Sequence, residues 1–122
     1  MGAELANCQA ALRWAERSSP ETMVRITGAL WKWWRVRGAS SDARPWLERS
    51  LAARHVVPPA AMIEMMIGAS AFYLFQTDDT ATARALNEEL LRRAEALEDR
   101  DGQFWAHEHL GVLARLTGDL ED

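Results

Sequence analysis

Apolar residues recur along this chain at intervals of three and four positions, which is the spacing of one face of an α-helix. In the first segment, for example, Leu5, Cys8, Leu12 and Ala15 follow this spacing. The alternation of apolar and polar residues expected of a half-buried strand is not sustained anywhere in the sequence. The pattern therefore predicts an all-α fold of about six helices in antiparallel hairpins. Five of the predicted helices span residues 3–17, 20–37, 60–76, 80–100 and 103–116. A further helix is predicted between residues 37 and 60, and its buried face covers 43–51.

Local signals mark several of the predicted helix ends. Ser19 followed by Pro20 is typical of a helix start, because the serine caps free amides and proline has no N–H to satisfy. Gly38 is expected to end the second helix, and residues 77–80 form a turn with its own capping aspartate. The Asp-Gly pair at 101–102 predicts the turn between the fifth and sixth helices.

Length and composition indicate one globular domain, which we assign to residues 3–118, with 119–122 as the truncated start of a further helix or a tail. The 14 basic and 18 acidic residues are interspersed, which argues against direct nucleic-acid binding. The single cysteine, Cys8, cannot form an internal disulfide, so a reducing cytoplasm fits best. The chain shows no secretory leader, and no run approaches the roughly 20 apolar residues of a membrane span.

The sequence also repeats at a regular interval. The predicted turn positions Gly38, Asp78 and Gly118 are evenly spaced along the chain, and their separation defines the period. A shift by one period places Gly28 on Gly68, and small residues at matching positions favour close crossing of helices. A shift by two periods places Asn7 on Asn87. Successive shifts by one period align Leu30 with Ser70 and Leu110, and Ala3 with Ala43 and Ala83.

These features resemble the tetratricopeptide repeat, in a form with long helices and about 40 residues per unit rather than 34. Trp31 stands where that family prefers glycine, so the resemblance implies a splayed or rearranged first hairpin. The implied fold is a short right-handed superhelix of stacked hairpins. The positions that match the family pattern are Ala71 and Gly111 in first helices, Trp34 as the aromatic, Ala43 and Ala83 in second helices, and the turn Gly118-Asp119.

Three stretches, ELANCQAALRWA, ALWKWWRVRG and ARPWLERSLA, resemble a narrower group. They are similar to the start of the repeat region in LuxR-type and AfsR-type bacterial signal-transduction ATPases that regulate transcription. The sequence has no GxxxxGK[ST] phosphate loop, so the resemblance concerns the repeat region alone. It implies a protein-interaction or effector-sensing scaffold. By the repeat phase, the chain begins with a second helix and ends where another would start, which predicts either a fragment or a homo-oligomer that covers the repeat ends.

The sequence contains no convincing catalytic or metal-binding motif. His107 and His109 are two residues apart, which on a helix turns them about 200° from one another, so both cannot bind one ion. We expect both histidines to face solvent or a partner. The acidic pairs at 78–79 and 99–101 are explained by capping. We therefore predict no enzyme activity, cofactor or metal.

The resemblance assigns a concave groove to the first helices, and this groove is the candidate binding surface for a protein or peptide. A basic edge beside an aromatic floor suits an amphipathic helix or an acidic peptide. Whether Phe72, Phe75 and Trp105 line the groove or pack between helices stays open, as does an alternative function in which tryptophans and methionines form a small-ligand pocket. Trp33 and Trp34 are assigned to the core. The predicted groove residues are Arg25, Lys32, Arg35, Met65, Phe72, Phe75, Trp105, Glu108 and Arg115.

Overall fold

The computed structural model describes the backbone of residues 2–37 and 40–118 and the side chains of residues 7, 9–31 and 43–118. Within these ranges all regular secondary structure is α-helical, which confirms the predicted all-α class. Three predictions concern parts of the chain that lie outside the described residues. They are the helix end at Gly38, the core positions of the Trp33 and Trp34 side chains, and the nature of the 119–122 segment. The helices are α1 (Gly2–Ser18), α2 (Pro20–Arg37), α3 (Ser40–Ala52), α4 (Pro59–Phe75), α5 (Thr80–Leu97) and α6 (Arg100–Thr117).

The helix starts follow the spacing expected from the sequence repeat. Helices α2, α4 and α6 begin at Pro20, Pro59 and Arg100, which are nearly equal intervals. Helices α3 and α5 begin at Ser40 and Thr80, which are separated by the period read from the sequence. Alternate helices therefore start at a regular interval, whereas membership of the tetratricopeptide family stays a prediction.

Capping predicted from local sequence is confirmed at two helix starts. The hydroxyl of Ser19 accepts a hydrogen bond from the backbone N–H of Thr22 at 3.3 Å, at the start of α2. The carboxylate of Asp79 accepts one from the backbone N–H of Thr82 at 3.0 Å, at the start of α5. Each bond satisfies an amide that has no partner inside its own helix.

The predicted boundary between α5 and α6 is wrong by about three residues. Helix α5 ends at Leu97, and Glu98 adopts the left-handed conformation with φ of 55°. The carboxylate of Asp99 accepts a hydrogen bond from the backbone N–H of Gly102 at 2.9 Å. This cap places Gly102 in the first turn of α6, so the glycine lies inside the helix and the turn lies before it.

Two compact units divide the chain, Met1–Met65 and Met66–Asp122, here named the N-terminal unit and the C-terminal unit. In the N-terminal unit, α2 packs against α1 and against α3. Trp46 of α3 donates its indole N–H to the side-chain oxygen of Gln9 on α1 at 3.0 Å. Arg49 lies over the Trp46 ring and 3.5 Å from Glu16, so α1 and α3 are linked at two points. Trp31, which replaces an expected small residue, is buried.

In the C-terminal unit, α5 packs against α6 and the last part of α4 contributes to the core. Leu97, the last residue of α5, is exposed. Among the described residues, no helix is long and apolar enough to cross a lipid bilayer. The buried residues of α5 and α6 are Ala83, Leu86, Asn87, Leu90, Ala94, Gly102, Ala106, His109 and Leu113.

Candidate interaction site

The predicted groove residues fall into three groups. Arg25 is exposed and forms an ion pair with Glu21 at 2.9 Å, whereas the side chains of Lys32 and Arg35 lie outside the described residues. Met65 and Phe72 are only 0% and 3% exposed. A buried side chain offers no area to a partner, so these two residues must be corrected from groove to core.

The remaining four predicted groove residues, Phe75, Trp105, Glu108 and Arg115, are exposed and belong to the C-terminal unit. Phe75 is 59% exposed and Trp105 is 43% exposed. The sequence left open whether the three aromatic residues line a groove or pack between helices. Phe75 and Trp105 are exposed enough to line a binding surface, whereas Phe72 is buried in the core. The two aromatic side chains come from different helices, since Phe75 is the last residue of α4 and Trp105 lies in the second turn of α6.

Phe75 and Trp105 contact the same side chain, the imidazole of His109. The Phe75 ring meets it edge to face, with centroids 6.0 Å apart, and the Trp105 ring lies 5.8 Å from it at an interplanar angle of 36°. Because both rings rest on one imidazole, they belong to the same small region of the surface. His109 thus joins two aromatic residues that are far apart in sequence.

Phe104 extends this surface. Its ring packs edge to face on Trp105, with centroids 5.1 Å apart, and it is 53% exposed. We name Phe75, Phe104 and Trp105 the aromatic patch. Three large aromatic side chains that leave about half of their area in water form an exposed apolar surface of the kind found at protein-binding sites.

His109 itself is 3% exposed and is held by polar groups of the other two helices in the unit, α4 and α5. Its Nδ1 atom lies 3.0 Å from the side-chain oxygen of Asn87 on α5 and 3.2 Å from the hydroxyl of Ser70 on α4. We name Ser70, Asn87 and His109 the histidine network. Such a network fixes the position of the imidazole, and Phe75 and Trp105 both pack against this fixed ring.

The surrounding hydrogen bonds determine where the imidazole proton sits. Asn87 donates its side-chain N–H to the carbonyl of Ala83 at 2.8 Å, which turns its oxygen toward His109. Ser70 donates its hydroxyl hydrogen to the carbonyl of Ile67 at 2.9 Å, so its oxygen is also an acceptor toward His109. With two acceptors facing it, Nδ1 carries the proton and donates to them, and the neutral ring has its free lone pair on Nε2.

Burial lowers the pKa of His109 below its ordinary value, and the nearby carboxylate of Glu108 opposes this by favouring the charged form. The expectation that both histidines face solvent or a partner is wrong for His109. His107 is exposed and His109 is buried. Their separation of two residues puts them on opposite sides of α6, and only the side of His109 faces α4 and α5.

The histidine network lacks the geometry of a nucleophilic relay. In such a relay the serine and the orienting residue bind opposite nitrogens of the imidazole. Here Ser70 and Asn87 both face Nδ1, and the serine hydroxyl donates its hydrogen to a backbone carbonyl. The described residues also contain no group of three His, Cys, Asp or Glu side chains placed to hold a metal ion. The arrangement is suited to fixing side chains in place.

Sequence reasoning missed Ser70 and Asn87. One signal for Asn87 was present, because it lies four residues after Ala83 and three before Leu90, at core spacing on α5. A polar residue at such a position needs a buried partner. Its partner could not be identified from the sequence, because His109 lies 22 residues away on another helix.

No protein-family model, no curated protein sequence and no solved structure matches this chain.

Proposed function

We propose that this protein is a non-enzymatic scaffold that binds another protein or a peptide through the aromatic patch. The observation that supports this function most directly is the pairing of Phe75 and Trp105. Both are large aromatic residues, both are about half exposed, and both rest on the buried His109. Aromatic side chains of this kind are enriched among the residues that dominate binding energy at protein interfaces.

The histidine network supports the same function because it orders the site before a partner arrives. Ser70, Asn87 and His109 join the three helices that carry or support the patch. A surface whose side chains are already fixed loses less conformational entropy on binding than a mobile one. The aromatic patch is thus suited to receive a partner with little rearrangement.

The broader setting is proposed from the sequence. The regular spacing of helix starts is consistent with a tetratricopeptide-like array, which commonly serves as a binding scaffold. We propose that the chain acts in the cytoplasm as part of the repeat region of a bacterial transcription regulator of the LuxR or AfsR type. There it would receive a protein or effector signal without contacting nucleic acid. Self-association through the repeat ends is a further proposed mode of contact.

The experiment that tests the binding function uses a displayed library of random peptides selected on the purified protein. Affinities of the selected peptides are then measured by fluorescence anisotropy for the wild type and for Trp105→Ala and Phe75→Ala. We expect each change to weaken binding by at least about tenfold, as for a residue that dominates an interface. Trp14→Ala is the matched control, since Trp14 is 58% exposed but lies on α1 in the N-terminal unit. If Trp14→Ala and Trp105→Ala lose equal amounts of peptide affinity, the aromatic patch is not the binding site.

A further inference from the structure

We propose that the aromatic patch takes a cationic partner, namely a segment that presents lysine or arginine beside apolar side chains, such as a basic amphipathic helix. This inference rests on the proposed function, because it assigns the chemistry of the partner bound at the same patch. The sequence predicted either an amphipathic helix or an acidic peptide, and the charge around Phe75 and Trp105 favours the helix, with basic rather than acidic polar residues.

The charge of the chain is unequally divided between the two units. Residues 1–65 contain nine Lys and Arg against six Asp and Glu, a net charge of +3. Residues 66–122 contain five Lys and Arg against twelve Asp and Glu, a net charge of −7. The patch lies in the acidic unit, whose field attracts cations and speeds their association.

Two exposed carboxylates lie next to Trp105 on the surface of α6. Asp101 precedes Trp105 by four residues and Glu108 follows it by three, and residues at these spacings are neighbours on a helix. Neither carboxylate forms an ion pair with any residue that the structure describes. Glu108 also precedes His109 directly in the sequence, and its charge favours the protonated imidazole and so raises the pKa of His109.

The end of α4 adds a third source of negative potential. Phe75 is the last residue of α4, and the last turn of this helix contains no basic residue. The carbonyl groups at a helix C-terminus carry partial negative charge, which favours cations nearby. Asp78 and Asp79 lie three and four residues after Phe75, in the connection to α5.

The basic residues of α6 lie away from the tryptophan ring. Arg115 follows Trp105 by ten residues, which is about 15 Å along a helix and beyond direct contact. Arg100 precedes Trp105 by five residues, which turns it about 140° around the helix from the tryptophan. A cation near Trp105 therefore meets two carboxylates and the faces of aromatic rings, which attract lysine and arginine. Around Trp105 the surroundings are anionic and aromatic together, whereas Arg100 precedes Phe104 by four residues and lies beside that edge of the patch.

The test uses two synthetic amphipathic peptides, each about 15 residues long so that a helix can form, with identical leucine and tryptophan positions. One peptide carries lysine at every polar position and the other carries glutamate. Binding to the full chain is measured by fluorescence anisotropy at low and at moderate salt. We expect the lysine peptide to bind at least about tenfold more tightly than the glutamate peptide, and to weaken as salt screens the charges.

Variants of the protein locate the charges responsible. The double variant Asp101→Asn/Glu108→Gln should reduce binding of the lysine peptide by about fivefold or more, as expected for loss of two charges beside the contact. Glu88→Gln/Glu95→Gln is the matched control, because it removes the same charge from exposed positions on α5. If both double variants weaken binding of the lysine peptide equally, Asp101 and Glu108 are not the charges that attract it, and the inference that the patch binds a cationic segment through them is overturned.

The outcomes separate this inference from the proposed function. Preference for the glutamate peptide, or binding of neither peptide, would overturn the cationic partner. If the glutamate peptide binds and Trp105→Ala abolishes that binding, the patch remains a docking site and the inference about charge fails. If the lysine peptide binds equally well to wild type and to Trp105→Ala, the patch is not the site, and the proposed function fails with it.

Discussion

Gly28 of α2 lies directly against the backbone of Met65 on α4. A Cβ atom at Gly28 would be 2.9 Å from the Met65 nitrogen and 3.2 Å from its Cα atom. Both atoms belong to the main chain of a helix, so they cannot move aside as a flexible side chain would. The two helices therefore cross at a distance that only glycine permits, which explains a residue that is otherwise unfavourable inside a helix.

Gly28→Ala is expected to destabilise the protein by about 1–3 kcal/mol, because overpacking outweighs the better helix propensity of alanine. The free energy of unfolding, measured by urea titration with circular dichroism, checks this. Gly111→Ala is the control, since an added Cβ there meets nothing closer than the Arg115 side chain at 4.0 Å. That change should stabilise by up to about 1 kcal/mol. A neutral or stabilising Gly28→Ala would contradict the close crossing.

Stability should depend on pH through His109. Its pKa is lowered from 6.5 in the folded state, mainly by burial and against the influence of Glu108. The unfolded chain therefore binds a proton more readily than the folded protein. The free energy of unfolding keeps the full contribution of neutral His109 above about pH 6.5, and loses it as the pH falls from there toward the lowered pKa.

Urea titrations at several pH values test this dependence. His109→Gln should remove much of the decrease in stability below neutral pH, whatever its effect on stability at neutral pH. His107→Gln changes an exposed histidine on the same helix and should retain the decrease. If both variants keep the wild-type slope, His109 is not the group responsible.

Asn87→Ala should destabilise the protein by about 2–3 kcal/mol. The change removes a hydrogen-bond acceptor from the buried His109 N–H and leaves a cavity where the amide was. Asn87 is fully buried and bonds both His109 and the Ala83 carbonyl. Asn7 occupies the matching position two periods earlier in the sequence and is exposed. Asn7→Ala is therefore expected to change stability by less than about 0.5 kcal/mol. Thermal unfolding of both variants would show whether burial, rather than residue type, sets the cost.

Removal of the α5 cap should have a smaller effect. Asp79→Ala loses hydrogen bonds from the backbone N–H and the hydroxyl of Thr82, at 3.0 Å and 2.6 Å, and should cost about 1 kcal/mol. The neighbouring exposed residue provides the comparison, since Asp78→Ala keeps the Asp79 cap. Similar melting temperatures for the two variants would show that the cap contributes little.

The sequence alone determined the helices and most of their ends, because the groups responsible are close together in the chain. Ser19 and Asp79 each cap an amide three residues away, so the signal is local and visible as residue type at fixed spacing. The end of α5 was predicted less well. Two aspartates, Asp99 and Asp101, precede Gly102, and only the bond from the Gly102 amide to Asp99 decides between them.

Tertiary structure decided which faces are covered. Phe72 and Phe75 are three residues apart on one helix, yet the first is buried and the second is exposed. His109 became the floor of the aromatic patch because Ser70 and Asn87, 39 and 22 residues away, face its ring. Helical periodicity identifies residues that share a face, but burial depends on what the neighbouring helices bring to that face. The candidate site is therefore a product of packing between α4, α5 and α6.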